Sequence, residues 1–233
     1  MLFIRSLIYT IVVNIALIII ITIALLIFFL PIRIRYNIIS LWAKFCIWWL
    51  KITCKLDFKI IGKENIPTKT CVVMSNHQST WDTLVFQTFL PQQTWVIKKE
   101  LLFLPIFGWG LALLRPISID RGNKLNAIRT VIKQGVSRIK DGIWVIIYPE
   151  GTRQPYKKLA NYQSGGVAIA KKSGVDILPI YHNAGKFWSK GQFIKKPGTI
   201  VITIGKSINP QDEKPKDIAL KIENWAKELE KTY

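Results

Sequence analysis

Residue types that bind metals or crosslink chains are scarce in this sequence. The three cysteines, at positions 46, 54 and 71, are odd in number and show no Cys-x-x-Cys spacing. This argues against a disulfide framework and against a zinc site. The histidines are only two, His77 and His182, so we expect no multi-histidine metal site and no bound metal. No Gly-x-Ser-x-Gly segment occurs, which excludes the serine elbow of the α/β-hydrolases.

Acidic residues are also few. The 233 residues include 14 aspartates and glutamates against 33 lysines and arginines, and the net charge is +19. Such an excess suits an anionic partner, which is nucleic acid, an anionic bilayer or a phosphorylated substrate. Nucleic acid fits worst, and we expect none to bind, because the basic residues accompany an uncharged apolar segment that would seek lipid.

That uncharged segment lies near the start of the chain. Residues 6–32 carry no charged side chain, and as a helix these 27 positions would span roughly 40 Å, against ~30 Å for a hydrocarbon core. The run is too long for a cleaved signal peptide, and no small-x-small cleavage site follows it. Basic residues after the run outnumber Arg5 before it, which predicts that the large C-terminal part is cytoplasmic. These residues are Arg33, Arg35, Lys44, Lys51 and Lys55. The membrane that we expect is a bacterial inner membrane.

A second helix is predicted over residues 37–53, where three tryptophans stand beside Lys44 and Lys51. Tryptophan and lysine together are typical of a helix lying in the headgroup layer. Two arrangements fit: a single span followed by an interfacial helix, or a helical hairpin held in one leaflet. Either arrangement makes residues 1–54 a membrane anchor and residues 55–233 the main folded domain.

From residue 57 onward, short apolar runs alternate with amphipathic stretches. This alternation predicts an α/β fold with a mostly parallel sheet flanked by helices. In such sheets the chemistry gathers just past the carboxyl ends of the strands. The predicted strands are 58–62, 71–75, 94–98, 117–120, 143–148, 176–181 and 199–204, and the predicted helices are 80–90, 104–114, 124–141, 165–173 and 212–231.

The segment Asn76–Asp82 (Asn-His-Gln-Ser-Thr-Trp-Asp) follows the second predicted strand. An imidazole titrates near neutrality, and a carboxylate bonded to one ring nitrogen leaves the other nitrogen to accept a proton. His77 and Asp82 are therefore predicted to be a base and its orienter, and the nucleophile would be a substrate oxygen. Taken alone, the same spacing also fits a helix start in which Asp82 is an ordinary first-turn charge.

Two further strand ends carry cations. Arg121 follows the fourth predicted strand, and Gly151, Thr152 and Arg153 follow the fifth. A planar guanidinium matches two phosphate oxygens, glycine allows close backbone approach, and threonine adds a hydroxyl donor. Each arginine alone would suit a surface ion pair, but two at strand ends near one histidine predict a phosphate site.

Together these segments resemble the blocks of the 1-acyl-sn-glycerol-3-phosphate acyltransferase (PlsC-like) family, over roughly residues 55–205. Family members often have Phe where Ile117 or Ser118 stands. The matching blocks are 76–82 for the His-x4-Asp motif, 117–121 (Ile-Ser-Ile-Asp-Arg), 148–153 (Tyr-Pro-Glu-Gly-Thr-Arg) and 177–180 (Ile-Leu-Pro-Ile), with 98–101 (Lys-Lys-Glu-Leu) and 105–109 (Pro-Ile-Phe-Gly-Trp) between the first two.

The resemblance implies transfer of a fatty acyl chain from acyl-CoA or acyl-carrier protein to the sn-2 hydroxyl of lysophosphatidic acid, forming phosphatidic acid without a cofactor. It implies that His77 removes the hydroxyl proton while Asp82 orients it. An oxyanion hole is expected from backbone amides near His77, at Gly151 or at Gly165–Gly166. Phosphate binding would involve Arg121, Arg153, Lys98, Lys99, Gly151, Thr152 and Glu150, of which Glu150 orders the pocket.

Some alternatives stay open. The acceptor could be another lyso-lipid or glycerol 3-phosphate. A non-catalytic basic protein that binds anionic lipid would explain the charge and the anchor, but not the placement of the polar residues at strand ends. For His182, after the sixth predicted strand, we expect a structural or substrate-lining role. The aromatic and basic residues between 186 and 196 suggest a second interfacial patch or a solvated surface.

Overall fold

The computed structural model of the protein describes residues 1–120, 122 and 124–233, with residues 124 and 125 described by their backbone alone. Within these residues seven strands form one sheet: β1 (Leu56–Ile61), β2 (Val72–Ser75), β3 (Gln93–Lys98), β4 (Ile117–Ile119), β5 (Trp144–Ile147), β6 (Ile177–His182) and β7 (Gly198–Ile204). Their order is β1-β7-β6-β2-β5-β3-β4. All neighbours are parallel except β6 and β7, which confirms the predicted mostly parallel sheet.

The helices follow the predicted order along the chain. They are α1 (Leu2–Leu26), α2 (Ile32–Cys54), α3 (Trp81–Phe89), α4 (Phe107–Leu113), α5 (Lys124–Lys140), α6 (Gly165–Ser173) and α7 (Pro215–Thr232), with 3₁₀ helices at Lys63–Asn65, Lys99–Phe103 and Ala184–Lys186. α4 begins three residues later than predicted, since Pro105 lacks a donor and disfavours helical backbone at the preceding residue.

Helices cover both faces of the sheet. On one face, Leu50 of α2 shares a core with Val73 and Leu178. On the other face, Ile169 of α6 shares a core with Val72. Because successive residues of a strand point to opposite faces, a strand covered on both sides is buried along its whole length, as β2 is, and its residues Val72, Val73 and Met74 are all apolar.

The bounds of the first two helices differ from the prediction. α1 ends at Leu26 instead of residue 32, and α2 begins at Ile32 instead of residue 37. Ile27 is the C-cap of α1, and Pro31 is the N-cap of α2. A proline has no N–H to give to a helix interior, so it suits a helix start.

α2 is more than an interfacial helix. Its inward face, with Ala43, Cys46 and Leu50, is fully buried and belongs to the core of the main domain. Its outward face remains apolar, and Trp48 is 55% exposed. The predicted boundary between the membrane anchor and the main domain, after residue 54, therefore lies between a helix and a strand that belong to one hydrophobic core.

α1 contacts the main domain near both of its ends. Near its start, Ser6 Oγ accepts the N–H of Lys195 at 3.0 Å. Toward its end, Ile21 lies against Gly110 of α4, where a Cβ would approach Ile21 Cγ1 to 2.9 Å. In between, Trp42 Nε1 donates to the carbonyl of Val13 at 2.9 Å. Among the described residues α1 is the one helix long and apolar enough to cross a membrane.

Candidate active site

The dyad loop, residues 76–82, runs from the end of β2 into the first turn of α3. Ser79 Oγ accepts the N–H of Trp81 at 3.1 Å, and Asp82 Oδ2 accepts the N–H groups of Gln78 and Ser79 at 3.1 and 3.0 Å. These bonds satisfy main-chain donors around the start of a helix, where the helix itself supplies no acceptor. The loop therefore holds its carboxylate with its own backbone.

His77 and Asp82 face each other across this loop. Nδ1 of His77 lies 3.1 Å from both carboxylate oxygens of Asp82. The Asp82 side chain is fully buried, whereas 17% of the His77 side chain is exposed. With Nδ1–H donating to the carboxylate, Nε2 is left to accept a proton. The structure thus brings together the two residues that the sequence pairs as base and orienter.

Asp82 stays ionised although it is buried. Burial by itself raises the pKa of this carboxyl group. The charges and hydrogen bonds of His77 and His182 outweigh burial, so the pKa of Asp82 lies well below its usual range. A lasting negative charge next to His77 stabilises the imidazolium that forms when the ring takes a proton.

A second histidine also reaches Asp82. His182 ends β6 and is fully buried, and its Nε2 lies 3.4 Å from Asp82 Oδ2. Because the side chain has no exposed surface, its position favours the structural role over the substrate-lining role. The sequence allowed this approach by placing His182 at a strand end, but it did not reveal that β6 is a neighbour of β2.

Residues just past β5 support His77. The Tyr148 ring stacks on the imidazole with centroids 4.0 Å apart and planes 17° apart. Glu150 accepts the N–H of His77 at 2.6 Å and that of Ala160 at 3.3 Å. The N–H of Gln154 donates to the His77 carbonyl at 2.7 Å. The segment 76–82 and the segment that begins at Tyr148 therefore form one hydrogen-bonded unit. The sequence alone gave no reason to assign a role to Tyr148.

Glu150 titrates in a different range from Asp82. Burial raises the pKa of Glu150, the N–H groups of His77 and Ala160 partly offset this, and with the charge of Asp82 added the pKa reaches about 7. Both carboxylate oxygens accept main-chain N–H groups. These contacts suit the pocket-ordering role expected for Glu150 rather than direct contact with a phosphate.

Cationic side chains lie at the exposed margin of the site. Arg153 Nη1 donates to Thr80 Oγ1 of the dyad loop at 2.9 Å, and Lys190 Nζ lies 3.5 Å from Thr152 Oγ1. Gly151 turns the chain here with φ of +73°, a conformation that favours glycine. We call Thr152, Arg153 and Lys190 the cationic rim. Lys190 was not singled out as a site residue, since it belongs to the segment after β6 and meets the rim only through the fold.

The other predicted phosphate ligands lie farther along the sheet edge or outside the description. Lys98 ends β3 and Lys99 opens the 3₁₀ helix that follows, and both side chains are exposed. Because β5 stands between β3 and β2, these lysines are one strand farther from His77 than the residues that follow β5. Arg121 lies outside the described residues.

Four main-chain N–H groups near the base are already hydrogen-bonded within the protein. They belong to His77, Gln78, Ser79 and Gly151. In this arrangement they are not free to form the oxyanion hole that was expected at His77 or Gly151. The start of α6 at Gly165 remains the candidate, because the first N–H groups of a helix have no partner within the helix.

The chain is similar in sequence and in fold to known proteins. The family model described as Acyltransferase matches residues 57–183, which is more than half of the chain. A 1-acyl-sn-glycerol-3-phosphate acyltransferase of Pseudomonas aeruginosa is 42% identical over 203 residues, covering 85% of this chain and 79% of that protein. The chain therefore belongs to the acyltransferase family.

More distant proteins are similar over much of the same length. A 1-acyl-sn-glycerol-3-phosphate acyltransferase of Saccharomyces cerevisiae is 30% identical over 169 residues, which are 70% of this chain and 55% of that protein. The crystal structure of the 1-acyl-sn-glycerophosphate acyltransferase PlsC from Thermotoga maritima matches with a TM-score of 0.81 at 23% identity. That match covers 98% of this chain and 94% of the other, and it shows the fold.

Proposed function

We propose that this protein transfers a fatty acyl chain from a thioester to the sn-2 hydroxyl of 1-acyl-sn-glycerol 3-phosphate, forming phosphatidic acid in phospholipid biosynthesis. The observation that carries the proposal is the His77–Asp82 pair at 3.1 Å, next to a rim that includes Arg153. The relatives from Pseudomonas aeruginosa and Saccharomyces cerevisiae bear the name of this activity.

The chemistry uses the substrate's own alcohol as nucleophile. His77 Nε2 takes the hydroxyl proton as the oxygen attacks the thioester carbonyl carbon, and Asp82 balances the charge of the imidazolium. The tetrahedral intermediate collapses by breaking the carbon–sulfur bond, and the leaving sulfur receives the proton from His77. The products are the ester and a free thiol, and the neutral base is restored. A placed general base contributes about 10²–10⁴-fold in rate.

The acceptor's phosphate is proposed to bind at the cationic rim. Arg153 already donates to Thr80, so its guanidinium is held beside the loop that carries His77. Its planar fork suits two phosphate oxygens, and the Thr152 hydroxyl can add a donor. Lys190 joins the site predicted from sequence, and Lys98, Lys99 and Arg121 are proposed to extend it along the strand ends.

The donor is proposed to be acyl-CoA or acyl-carrier protein, and no cofactor or metal takes part. Both donors are anionic, and the net charge of +19 favours their approach as well as contact with an anionic bilayer. We expect no nucleic-acid partner.

For the membrane, we propose that α1 and α2 form a hairpin held in one leaflet of a bacterial inner membrane, with the main domain on the cytoplasmic side. The contacts of α1 support this arrangement, because Ser6 and Ile21 both meet the domain. A helix that crossed the bilayer would carry one of its ends away from a domain on one side. The outward residues of α1, such as Ile11 at 50% exposure, are left for lipid.

The activity is tested by following thiol release from an acyl thioester. The protein in detergent is given acyl-CoA or acyl-carrier protein, with and without lysophosphatidic acid. We expect release that depends on the acceptor. Protein that binds anionic vesicles but consumes no thioester would overturn the proposal in favour of a lipid-binding protein.

A panel of acceptors with one donor then tests the phosphate site. Lysophosphatidic acid is expected to exceed a phosphate-free 1-acylglycerol, and it is compared with glycerol 3-phosphate and other lyso-lipids. A preference for the phosphate-free acceptor would remove the role given to Arg153.

The membrane arrangement is tested with introduced cysteines in oriented vesicles, since the native cysteines are all buried. A membrane-impermeant thiol reagent is applied from either side to two variants. Leu2→Cys reports on the start of α1, and Lys59→Cys, at an exposed position of the edge strand β1, marks the side of the main domain. For a one-leaflet hairpin we expect no labelling of Leu2→Cys from the side opposite the domain. Labelling of Leu2→Cys from that opposite side alone would establish a span.

A further inference from the structure

The two histidines of the chain share one carboxylate. Asp82 Oδ2 lies 3.1 Å from His77 Nδ1 and 3.4 Å from His182 Nε2. Both His182 and Asp82 are fully buried. The proposed mechanism uses the first of these contacts and gives no task to the second.

Hydrogen bonds around His182 assign its proton. Nδ1 accepts the N–H of Ala184 at 3.3 Å, so the ring proton must sit on Nε2. Nε2 lies 3.0 Å from the Asn76 carbonyl oxygen and 3.4 Å from Asp82 Oδ2, so one N–H is shared between two acceptors, with the carbonyl the nearer.

His182 is also hydrogen-bonded through its main chain to Asn76, the first residue of the dyad loop. Asn76 donates from its side chain to the His182 carbonyl at 2.9 Å and accepts the His182 N–H at 3.0 Å. Two residues on, Gln78 Oε1 accepts the N–H of Gly185 at 3.0 Å. These hydrogen bonds join the end of β6 to the end of β2. His182 therefore has little freedom to turn away from Asp82.

These contacts make the two oxygens of Asp82 unequal. Oδ2 accepts the N–H groups of Gln78 and Ser79 and faces His182, whereas none of these three contacts is with Oδ1. His77 Nδ1 lies 3.1 Å from each oxygen. Donors on one oxygen fix the plane of the carboxylate and draw charge to that side. The other oxygen is then held at a set angle to the His77 ring.

We propose that His182 is a positioning residue for acyl transfer, whose Nε2–H holds Asp82 Oδ2 and thereby sets the orientation that Asp82 imposes on His77. The proposal rests on the proposed function. Tyr148 also faces Asp82 from the end of β5, where burial and then the charge of Asp82 raise the pKa of its phenol. His77, His182, Tyr148 and Glu150, whose pKa the charge of Asp82 also raises, are thus titratable groups around this carboxylate.

Two substitutions test the two ring nitrogens of His182 separately: Nε2, which donates toward Asp82, and Nδ1, which accepts the N–H of Ala184. The amide nitrogen of glutamine can reach the place of Nε2, whereas the amide of asparagine reaches only the place of Nδ1. His182→Gln therefore keeps a donor toward Asp82, and His182→Asn keeps the contact with Ala184 instead. We expect His182→Gln to retain kcat within about 3-fold and His182→Asn to lose about 10-fold or more, with KM for the acceptor little changed in both.

A neighbouring buried residue provides the matched control. Asn183 Oδ1 accepts the N–H of Val201 at 2.9 Å and so supports β7 rather than Asp82. Asn183→Ala is expected to lower the thermal midpoint while kcat per folded molecule stays near the wild-type value. Equal or better activity of His182→Asn than of His182→Gln would overturn the proposal. The proposal would also be overturned if the activity of both His182 variants fell only in proportion to the folded fraction, as is expected for Asn183→Ala.

A spectroscopic readout on the unaltered protein does not depend on any variant folding. Because the chain has only two histidines, ¹⁵N spectra of labelled imidazoles can resolve both tautomers. We expect the Nε2–H form for His182, and an Nδ1–H form would overturn the proposal since nothing would then donate to Asp82. If the wild-type protein releases no thiol in response to lysophosphatidic acid, the proposed function fails while the tautomer result still stands on its own.

Discussion

The dyad loop and the cationic rim meet at Thr80 but are built in opposite ways. In the loop, Asp82 is fully buried and each of its contacts is a hydrogen bond or charge from a fixed neighbour. In the rim, Thr152 and Lys190 are exposed and Arg153 is half-buried. A proton-transfer group needs its angle set in advance, whereas a phosphate site in contact with water must let its ligand enter and leave.

Removing the base should have the largest effect. We expect His77→Ala to lose about 10²–10⁴-fold in kcat while the protein still folds and enters membranes, because the loop is held by Asp82 and Ser79 rather than by the imidazole. Thiol release with lysophosphatidic acid measures the loss. Gln87→Ala, farther along α3, is the control and should keep its rate; substantial activity in His77→Ala would refute the proposed base.

Removing the rim arginine should instead change the choice of acceptor. Arg153→Ala is expected to lower kcat/KM for lysophosphatidic acid by about 10–100-fold, since a charge-assisted bond contributes roughly 1.5–3 kcal/mol. The rate with 1-acylglycerol should barely change. Lys59→Ala on the edge strand β1 controls for loss of positive charge alone, and an equal loss with both acceptors would argue against phosphate binding at Arg153.

The raised pKa of Glu150 should make the free energy of unfolding depend on pH between 4.5 and about 7. Its pKa is raised from 4.5 to about 7, so between these values the folded protein holds a proton that the unfolded chain has released. Its stabilising contribution is therefore full below pH 4.5 and is lost as the pH rises through 7, by about 1–3 kcal/mol in all.

Thermal midpoints in detergent from pH 4.5 to 8 test this dependence. Glu150→Gln has no such titration, so its midpoint should fall less than that of the wild-type protein over this range. Asp82 has the opposite sign, because its lowered pKa gives stability that is present above about pH 4 and is lost only at lower pH. Parallel curves for the wild-type protein and Glu150→Gln would show that Glu150 is not protonated near neutrality.

The smallest effect on catalysis is expected at α1, which contributes no residue to the dyad loop or to the cationic rim. Ser6→Ala removes the acceptor of the Lys195 N–H and leaves that buried donor unpaired, which costs about 1–3 kcal/mol of unfolding free energy. The kcat per folded molecule should stay the same. Asn14→Ala, an exposed polar position on the same helix, should be nearly neutral in stability. A change of kcat in Ser6→Ala would mean that α1 shapes the site directly.

Several parts of this protein could be predicted from its sequence because they depend on neighbours along the chain. The strand β2 and the helix α3 follow from local apolar patterns, and the turn between them brings His77 to Asp82 over five residues. The ends of α1 and α2 could not be placed in this way. Residues 27–30 are apolar like the helix before them, so hydropathy alone did not mark the turn that packing against the domain allows.

The contacts between strands that are distant in the sequence could be known only from the folded chain. β6 lies beside β2 and β5 lies on its other side, so His182 and Tyr148 reach the dyad loop from opposite neighbours, and Lys190 reaches Thr152. Sequence spacing determined the chemistry of the His77–Asp82 pair. The order of strands, which is set by how whole faces pack and has no local signal, determined what surrounds that pair.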